Sequence, residues 1–540
     1  MIDSSIAIFR MGRLTTPAKW VLFAALLLWM SAGLVQRIDL TTADAGRHIT
    51  NGAMILKSGS DRQGVLYTNF YSYTMPGQPF INHHWLTGVL FFVVWKVSGF
   101  AGLSVLVVVA GLAGFALFWD VARRAGGYWL AMAAGLLTAP LVTLRFDIRP
   151  EAITTLLMGV FLWILWRVRA KEIESRWLYS LPVLMLLWVN LHIGFVFGFL
   201  VLGAFLLDAA IPLLWIRVRP RPAIAKSKSS RTSAPEIPAP DAAAWKPLAR
   251  VFGLCILAGL LNPNFVKGFL YPLFIFDNYG YRIVENQSIP VLEQFGLGAV
   301  MPFVLLEFTA ASLLLIAVLA GIVSRKFDRA LLIPALISTV MAWSALRNFA
   351  IFGLFAVPAL AGTIHLLRIR KQILIPIVLV VLAIAVRQQI EDFSQYFPTI
   401  GFGLLPGVEA SADFLRANHL SGPIFNDYDI GGYLIFKLVM DGWSRPVFVD
   451  NRPEAYTTEF FQTVYKPAQQ DESEWRRLDA RYHFNVIFFS RRDATSWAKT
   501  FLENRSKDGA WAAVFADPYN IIFLRRENPA NTLIIQKFAR

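Results

Sequence analysis

The chain has 540 residues, of which 56% are hydrophobic and 16% charged, with a mean hydropathy of +0.52. A soluble globular domain carries roughly 25% charged residues, which excludes a water-soluble fold for most of this chain. The net charge of +15 sits largely in short basic runs between apolar segments, the positive-inside pattern of a membrane protein. No nucleic acid partner is expected from it. The single cysteine, Cys255, excludes an intrachain disulfide and a thiolate metal cluster.

A helix crosses the hydrocarbon core with about 20 apolar residues. On that scale candidate spans fall at 19–36, 100–119, 127–143, 152–168, 177–191, 193–216, 248–262, 301–323, 330–346, 348–364 and 372–388. The first follows Arg10 and Arg13 and reads as an uncleaved helix with a cytoplasmic N-terminus. Basic residues at 123–124, 167–171, 217–250, 325–329 and 368–371 then mark the cytoplasmic ends. The stretch "WLTGVLFFVVWKVSGF", 85–100, is expected as a juxtamembrane or re-entrant helix. About eleven crossings put the C-terminus outside.

The domain reading is an N-terminal transmembrane module, 1–217, with a first outer loop at 37–99. A Pro/Ala/Ser-rich cytoplasmic linker at 218–246 has the composition of a disordered segment. Further transmembrane helices occupy 247–389. From 390 to 540 the composition changes: "GVEASADFLRANH" reads as a helix, and "GPIFND", "RPVFVDNR" and "NVIFFS" as buried strands. "WAAVFADPYNIIFLRR" reads as a closing hairpin, which gives an extracytoplasmic α/β domain. The fold class is therefore a polytopic α-helical membrane protein with a C-terminal α/β domain.

Ionisable groups at membrane depth are costly and point to function. In this topology they gather at the outer ends of the spans. Asp44, in "TTADAGRHITNG" just past the first span, reads either as a helix cap or as a carboxylate that orients an acceptor hydroxyl or takes its proton. "RFDIRPEAI" supplies Arg145, Arg149 and Glu151, and the arginine fork suits a phosphate. "NHHW" and "NLHIG" bring His83, His84 and His192, with His48 from the first loop. None has the spacing of a metal motif, so no metal ligand set is assigned and no cofactor is required. Glu285 and Arg347 complete the set. "NDYDIGG", 426–432, contains D-x-D, which invites a nucleotide-sugar reading through a divalent metal; the topology argues against that, and it reads here as a strand-end turn, with Gly431 and Gly432 allowing a tight turn.

The run "TTADAGRHITNGAMILKSG…LYTNFYSYTMPGQPFINHHWLTGVL" resembles the first outer loop of the C-type (GT-C) superfamily of integral-membrane glycosyltransferases. It is most similar to bacterial mannosyl- and aminoarabinosyl-transferase-like proteins. "WVNLHIGF", "LNPNF", "ENQSIP" and "FNDYDIGGYLIF…VFVDNRPEAY" look like further pieces of one bacterial subgroup. The resemblance implies a polyprenyl-phosphate sugar donor, an extracytoplasmic lipid, glycan or protein acceptor, and a bacterial inner (plasma) membrane location. It also implies a catalytic role for Asp44, with Arg149 and Arg347 on the donor phosphate. Many relatives carry a second acid beside the first-loop Asp. This chain has Ala45 and Gly46 there, so the resemblance does not extend to a two-carboxylate, metal-dependent mechanism. The competing readings are a polysaccharide polymerase or ligase, and a lipid or glycan transporter or flippase.

Overall fold

The computed structural model describes residues 15–57, 59–143, 148–218, 245–275, 279–294, 301–324, 327–367 and 399–539, with scattered positions between 376 and 390. Its first part is helical: α1 (Thr16–Leu34), α2 (Ala45–Leu56), α3 (Ser60–Tyr67), α4 (Trp85–Gly126), α5 (Tyr128–Thr143), α6 (Glu151–Arg169), α7 (Leu181–Leu191), α8 (Val196–Val218) and α9 (Trp245–Gly259). There follow α10 (Phe265–Leu270), α11 (Ile289–Gln294), α12 (Met301–Ser324), α13 (Arg329–Ser344) and α14 (Phe349–Leu367).

Among the described residues, five helices are long and apolar enough to cross a bilayer: Thr16–Leu34, Trp85–Gly126, Glu151–Arg169, Ile193–Ile211 and Leu346–Leu367. Shorter apolar helices, Tyr128–Thr143, Glu307–Val323 and Arg329–Ser344, stand beside them. The expected span at 248–262 is α9, of the same length but begun three residues earlier, and that at 177–191 begins as a 3-10 helix, Ser175–Ser180. The linker and the candidate span 372–388 fall largely outside the described residues.

Within α4 the backbone at Gly99 takes φ 63° and ψ −163°. Only glycine reaches that region without steric cost, so residue 99 separates an N-terminal segment from the apolar helix that follows. The N-terminal segment lies against α2 at a crossing of small residues: a Cβ on Gly52 would meet the Gly88 carbonyl oxygen at 2.0 Å. That approach seats α2, and with it His48, against the start of α4.

The C-terminal part holds α15 (Ala410–Ala417), β1 (Ile424–Asn426), α16 (Gly431–Met440), α17 (Pro467–Gln470) and α18 (Glu472–Tyr482). It ends with β2 (Val486–Ser490), α19 (Ser496–Lys507), β3 (Trp511–Ala516), β4 (Asn520–Arg525) and α20 (Thr532–Phe538). The sheet order is β1-β2-β4-β3, with β1 and β2 parallel and the other pairs antiparallel. Every residue of β1 and β2 is buried, as expected of strands covered on both faces. Phe425 packs there on Trp475, Phe484 and Phe501.

Two details differ from the sequence reading. "RPVFVDNR" is no strand of this sheet; Val447 makes an isolated bridge to Ser72 of the first loop. The Phe448 N–H is taken by the Asn426 side chain at 2.9 Å, so a side chain replaces the ladder. Gly431 and Gly432 open helix α16 and make no turn of positive φ. A Cβ on Gly431 would stand 2.4 Å from the Asp450 backbone, so close approach fixes this glycine.

Candidate active site

Asp44 precedes α2, yet its carboxylate caps nothing. It accepts from Arg47 Nη2 at 2.9 Å and from Asn451 Nδ2 at 2.7 Å. Asn451 in turn accepts from Arg47 Nε at 3.1 Å, closing a three-residue ring. The helix-cap reading therefore fails, because the carboxylate bonds the side chains of Arg47 and Asn451 and no backbone N–H of the helix. Burial would raise the Asp44 pKa; the guanidinium groups of Arg47 and Arg149 overcome it and hold the carboxyl down to about 2. About a fifth of the side chain stays open to solvent, at 22%, so the ionised carboxylate remains reachable.

Asn451 arrives from the C-terminal part. Beside it Asp450 and Arg452 form a fully buried ion pair at 2.7 Å. Arg452 also donates to Asn69 Oδ1 at 2.9 Å and lies over the Phe80 ring. Both of these partners belong to the loop between α1 and α4, so that loop and the C-terminal part share one polar core. A buried charge pair tolerates little movement once its hydrogen bonds are satisfied. The pair thereby fixes Asn451 against Asp44.

Arg149 connects the first loop to a later one. Its Nε lies 3.7 Å from Asp44 Oδ2, and its Nη1 donates to both Glu285 oxygens at 3.1 and 3.2 Å. Next to Glu285, Asn286 accepts from Arg347 Nη1 at 2.9 Å, and Arg347 lies 3.7 Å from Glu151. Asp44, Arg149, Glu285, Arg347 and Glu151 thus form one continuous chain of contacts. Arg145 lies outside the described residues, as does Asp147.

The four histidines also meet. His83 and His84 ring centres are 3.8 Å apart, His84 and His192 5.0 Å, and His48 and His84 5.3 Å. His192 Nδ1 receives the Gly194 N–H at 3.1 Å and lies 2.7 Å from the Thr154 hydroxyl. Because Nδ1 accepts the Gly194 N–H it carries no proton, so the imidazole proton belongs on Nε2 and the Thr154 hydroxyl, which accepts from the Trp188 indole at 2.9 Å, donates to the ring.

Burial pushes His48 and His83 down to about 3, and His84 well below its ordinary value, with neighbouring imidazoles and Arg47 adding to the effect. Each folded-state pKa is depressed below the unfolded value of about 6.5. Below that pH the unfolded chain binds protons the native site refuses. Stability should therefore be full above pH 6.5 and fall as the pH drops from 6.5 toward 3. Thermal melts of the detergent-solubilised protein at pH 7.5, 6 and 5 should show falling midpoints. His48→Asn should make the decline shallower; an unchanged slope contradicts a buried neutral His48.

A cavity of about 220 Å³ opens beside this chain of contacts. Arg347, Glu151, His192 and Thr154 supply polar wall, while Phe197, Leu273 and Ile351 supply apolar wall. Residues at the starts of three helices line it: Glu151 and Ala152 of α6, Val196 and Phe197 of α8, and Ala350 and Ile351 of α14. Helix N-termini carry partial positive charge and free N–H groups. With Arg347 among them, the polar end of this cavity is suited to an anion, and its apolar wall to hydrocarbon.

At the other end of α6, about 28 Å away at 1.5 Å per residue, stands a separate polar layer. Arg169 pairs with Asp328 at 2.7 Å, and Arg329 with Asp208 at 2.9 Å. The candidate site thus occupies one end of the helices and this ion-pair layer the other.

Sequence reasoning left out Asn451 and Thr154. Asn451 lay within a quoted motif, "VFVDNRPEAY", but an asparagine after a presumed strand looks like any turn residue. Thr154 carries no sequence signal at all.

No protein-family model and no curated protein sequence matches the chain. Solved structures do. An oligosaccharyltransferase from Archaeoglobus fulgidus tethered with an acceptor peptide superposes with a TM-score of 0.56 at 11% identity, over 95% of this chain and 74% of that one. The same organism's oligosaccharyltransferase AglB in complex with an inhibitory peptide and a dolichol-phosphate gives 0.52 at 12% identity, over 95% and 75%. ArnT from Cupriavidus metallidurans bound to undecaprenyl phosphate gives 0.50 at 13% identity, over 94% of this chain and 98% of that one. The chain shares the fold of these membrane proteins. The resemblance read from the first outer loop therefore extends, at the level of fold, across the membrane helices and into the C-terminal part. At these identities the likeness carries the backbone and leaves the chemistry to the residues described above.

Proposed function

We propose that this protein is an integral-membrane glycosyltransferase that moves one sugar from a polyprenyl-phosphate donor to an extracytoplasmic acceptor, with inversion at the transferred carbon. The observation that carries the reading is the cavity where three helix N-termini and Arg347 face one apolar-walled space, beside the Asp44–Arg149–Glu285 chain. A lipid phosphate has both halves of that chemistry, an anionic head and a hydrocarbon tail. Neighbours of the same fold were solved with dolichol-phosphate and with undecaprenyl phosphate.

Breaking the bond between the sugar carbon and the phosphate oxygen leaves negative charge on phosphate. Arg149 and Arg347 stabilise that charge as it develops. The acceptor oxygen attacks from the opposite face and becomes strongly acidic as its new bond forms. Asp44, already ionised, first orients the acceptor hydroxyl by accepting its hydrogen bond and then takes the proton. The basic runs at 123–124, 167–171 and 325–329 support a reading in which the far end of α6 faces the cytoplasm of a bacterial inner membrane and the site faces the opposite side. Nucleotide sugars are cytoplasmic, so a site on that outer side draws its donor from lipid.

The test is a transfer assay with purified protein in lipid nanodiscs. Polyprenyl-phosphate sugars should release polyprenyl phosphate, and polyprenyl phosphate should copurify with the protein by mass spectrometry. Consumption of nucleotide sugar with no polyprenyl-phosphate binding overturns the reading. A polymerase or ligase differs in acceptor alone and would extend a glycan already on lipid.

A further inference from the structure

We propose that Asp427, Asp429 and Asp493 form a binding site for a divalent cation of the Mg²⁺, Mn²⁺ or Ca²⁺ class. Asp427 and Asp429 follow β1, and Asp493 follows β2. The two strands pair in parallel, Asn426 opposite Phe488, so their C-terminal ends lie side by side. That topology joins the D-x-D to a third acid from a distant segment. Crevices at the C-terminal ends of parallel strands are where α/β folds place ligands.

One carboxylate oxygen from each residue lies within 4.8 Å of the other two. The side chains are already oriented: Asp427 Oδ1 accepts the Ser490 N–H at 2.9 Å, and Asp493 Oδ1 the Thr495 N–H at 2.8 Å. The remaining oxygens, Oδ2 of Asp427 and of Asp493, are buried and have no hydrogen-bond partner. Asp427 itself is fully buried. A buried carboxylate oxygen without a partner is costly, and this cluster contains two.

Among the described residues, no lysine or arginine forms an ion pair with any of the three acids. Burial and mutual repulsion push Asp429 up to about 6, and Asp427 well above its ordinary value. A small cation supplies what is missing, positive charge and a coordination partner for the unbonded oxygens. Three carboxylates and no imidazole or thiol make a hard-oxygen donor set, the kind that suits these ions over zinc or copper. Asp429 and Asp493 are only partly buried, so the cluster is reachable from solution.

The cluster lies in the neighbourhood of Asp44. Asp44 is near enough to Asp429 for its charge to raise the Asp429 pKa further. Tyr428, between the two D-x-D acids, stacks on Tyr281 at 4.0 Å, in the loop that also carries Glu285. The cation's open positions would take acceptor oxygens, a role that rests on the transferase reading; cation binding itself does not.

The experiment is a Mn²⁺ titration of the full-length protein in detergent, followed by loss of the free-ion paramagnetic resonance signal. The wild type should take up one saturable Mn²⁺, with a dissociation constant at or below the ~1 mM range of extracellular sites. Asp429→Asn and Asp493→Asn should each weaken it at least ~10-fold, with melting curves checking that both variants are folded. Asp44→Asn and Glu285→Gln should leave it intact. Absence of saturable uptake by the wild type up to ~10 mM overturns the proposal, since the three acids would then share protons. Uptake that survives both acid-cluster variants, or is lost in Asp44→Asn alone, also overturns it. None of these readouts needs turnover, so failure of the transferase reading would leave them intact.

Discussion

Replacing Asp44 by asparagine is expected to lower the transfer rate by about 10²- to 10⁴-fold, the range that a positioned acid–base group contributes, while the protein still folds. The amide is close to isosteric. Its oxygen can still accept from Asn451 Nδ2 and Arg47 Nη2, which now hold the carboxylate at 2.7 and 2.9 Å. What disappears is the negative charge that orients the acceptor and takes its proton. Because the carboxyl is held down to about 2, it stays ionised through the whole physiological range. No acid limb from Asp44 is therefore expected in the pH–rate profile above about pH 4. The measurement is initial rates at matched expression and saturating donor. The drop should appear in kcat, with the donor KM changed little. Wild-type rates in Asp44→Asn would remove the assigned base.

The first outer loop contributes Asp44 but does not hold it alone. Gly46 lies where Phe436 of α16 packs, and a Cβ there would come within 2.8 Å of the Phe436 Cβ. The neighbourhood in which the resemblance would place a second acid is, in this chain, the seat of the C-terminal part. The same part returns an amide, Asn451, to the Asp44 carboxylate. The departure seen in sequence thus has a steric reason, and the amide accompanies it. Together they make the C-terminal part a wall of the site.

Those particulars separate what the sequence discloses from what it conceals. Asp44, Arg149, Glu285, Arg347 and the four histidines were legible because a polar group beside an apolar span has a cost that demands an explanation. Their grouping was expected from a topology read off the basic runs. The break at Gly99 was legible as a change of role at 85–100, although its mechanism was not. Asn451, Thr154 and Asp493 were not legible. They lie in or beside segments where polar residues are ordinary, and their partners come from far along the chain. "VFVD" read as a strand because its pattern suits one; in the fold the Asn426 side chain and Ser72 take its backbone groups. Hydrophobic pattern fixes which segments are buried. It does not say which buried segment pairs with which.

The second large effect is expected at Arg149. Arg149→Ala should reduce kcat/KM for the lipid donor by about 10²- to 10³-fold, comparable to removing one preorganised donor to a developing oxyanion. Arg149 stands two residues before Glu151, the start of α6, so its charge adds to the positive end of that helix. It also spans the site, with Nη1 on both Glu285 oxygens and Nε 3.7 Å from Asp44. A lysine offers one compact charge and cannot reproduce that fork. Arg149→Lys should therefore recover only part of the loss. Because Asp44 and Arg149 are in contact, their losses should not add: Asp44→Asn with Arg149→Ala should fall short of the product of the single effects. Strictly multiplicative losses would mean that the two residues act at separate places. The chain of contacts from the first loop to Glu285 would then be architecture without a catalytic consequence.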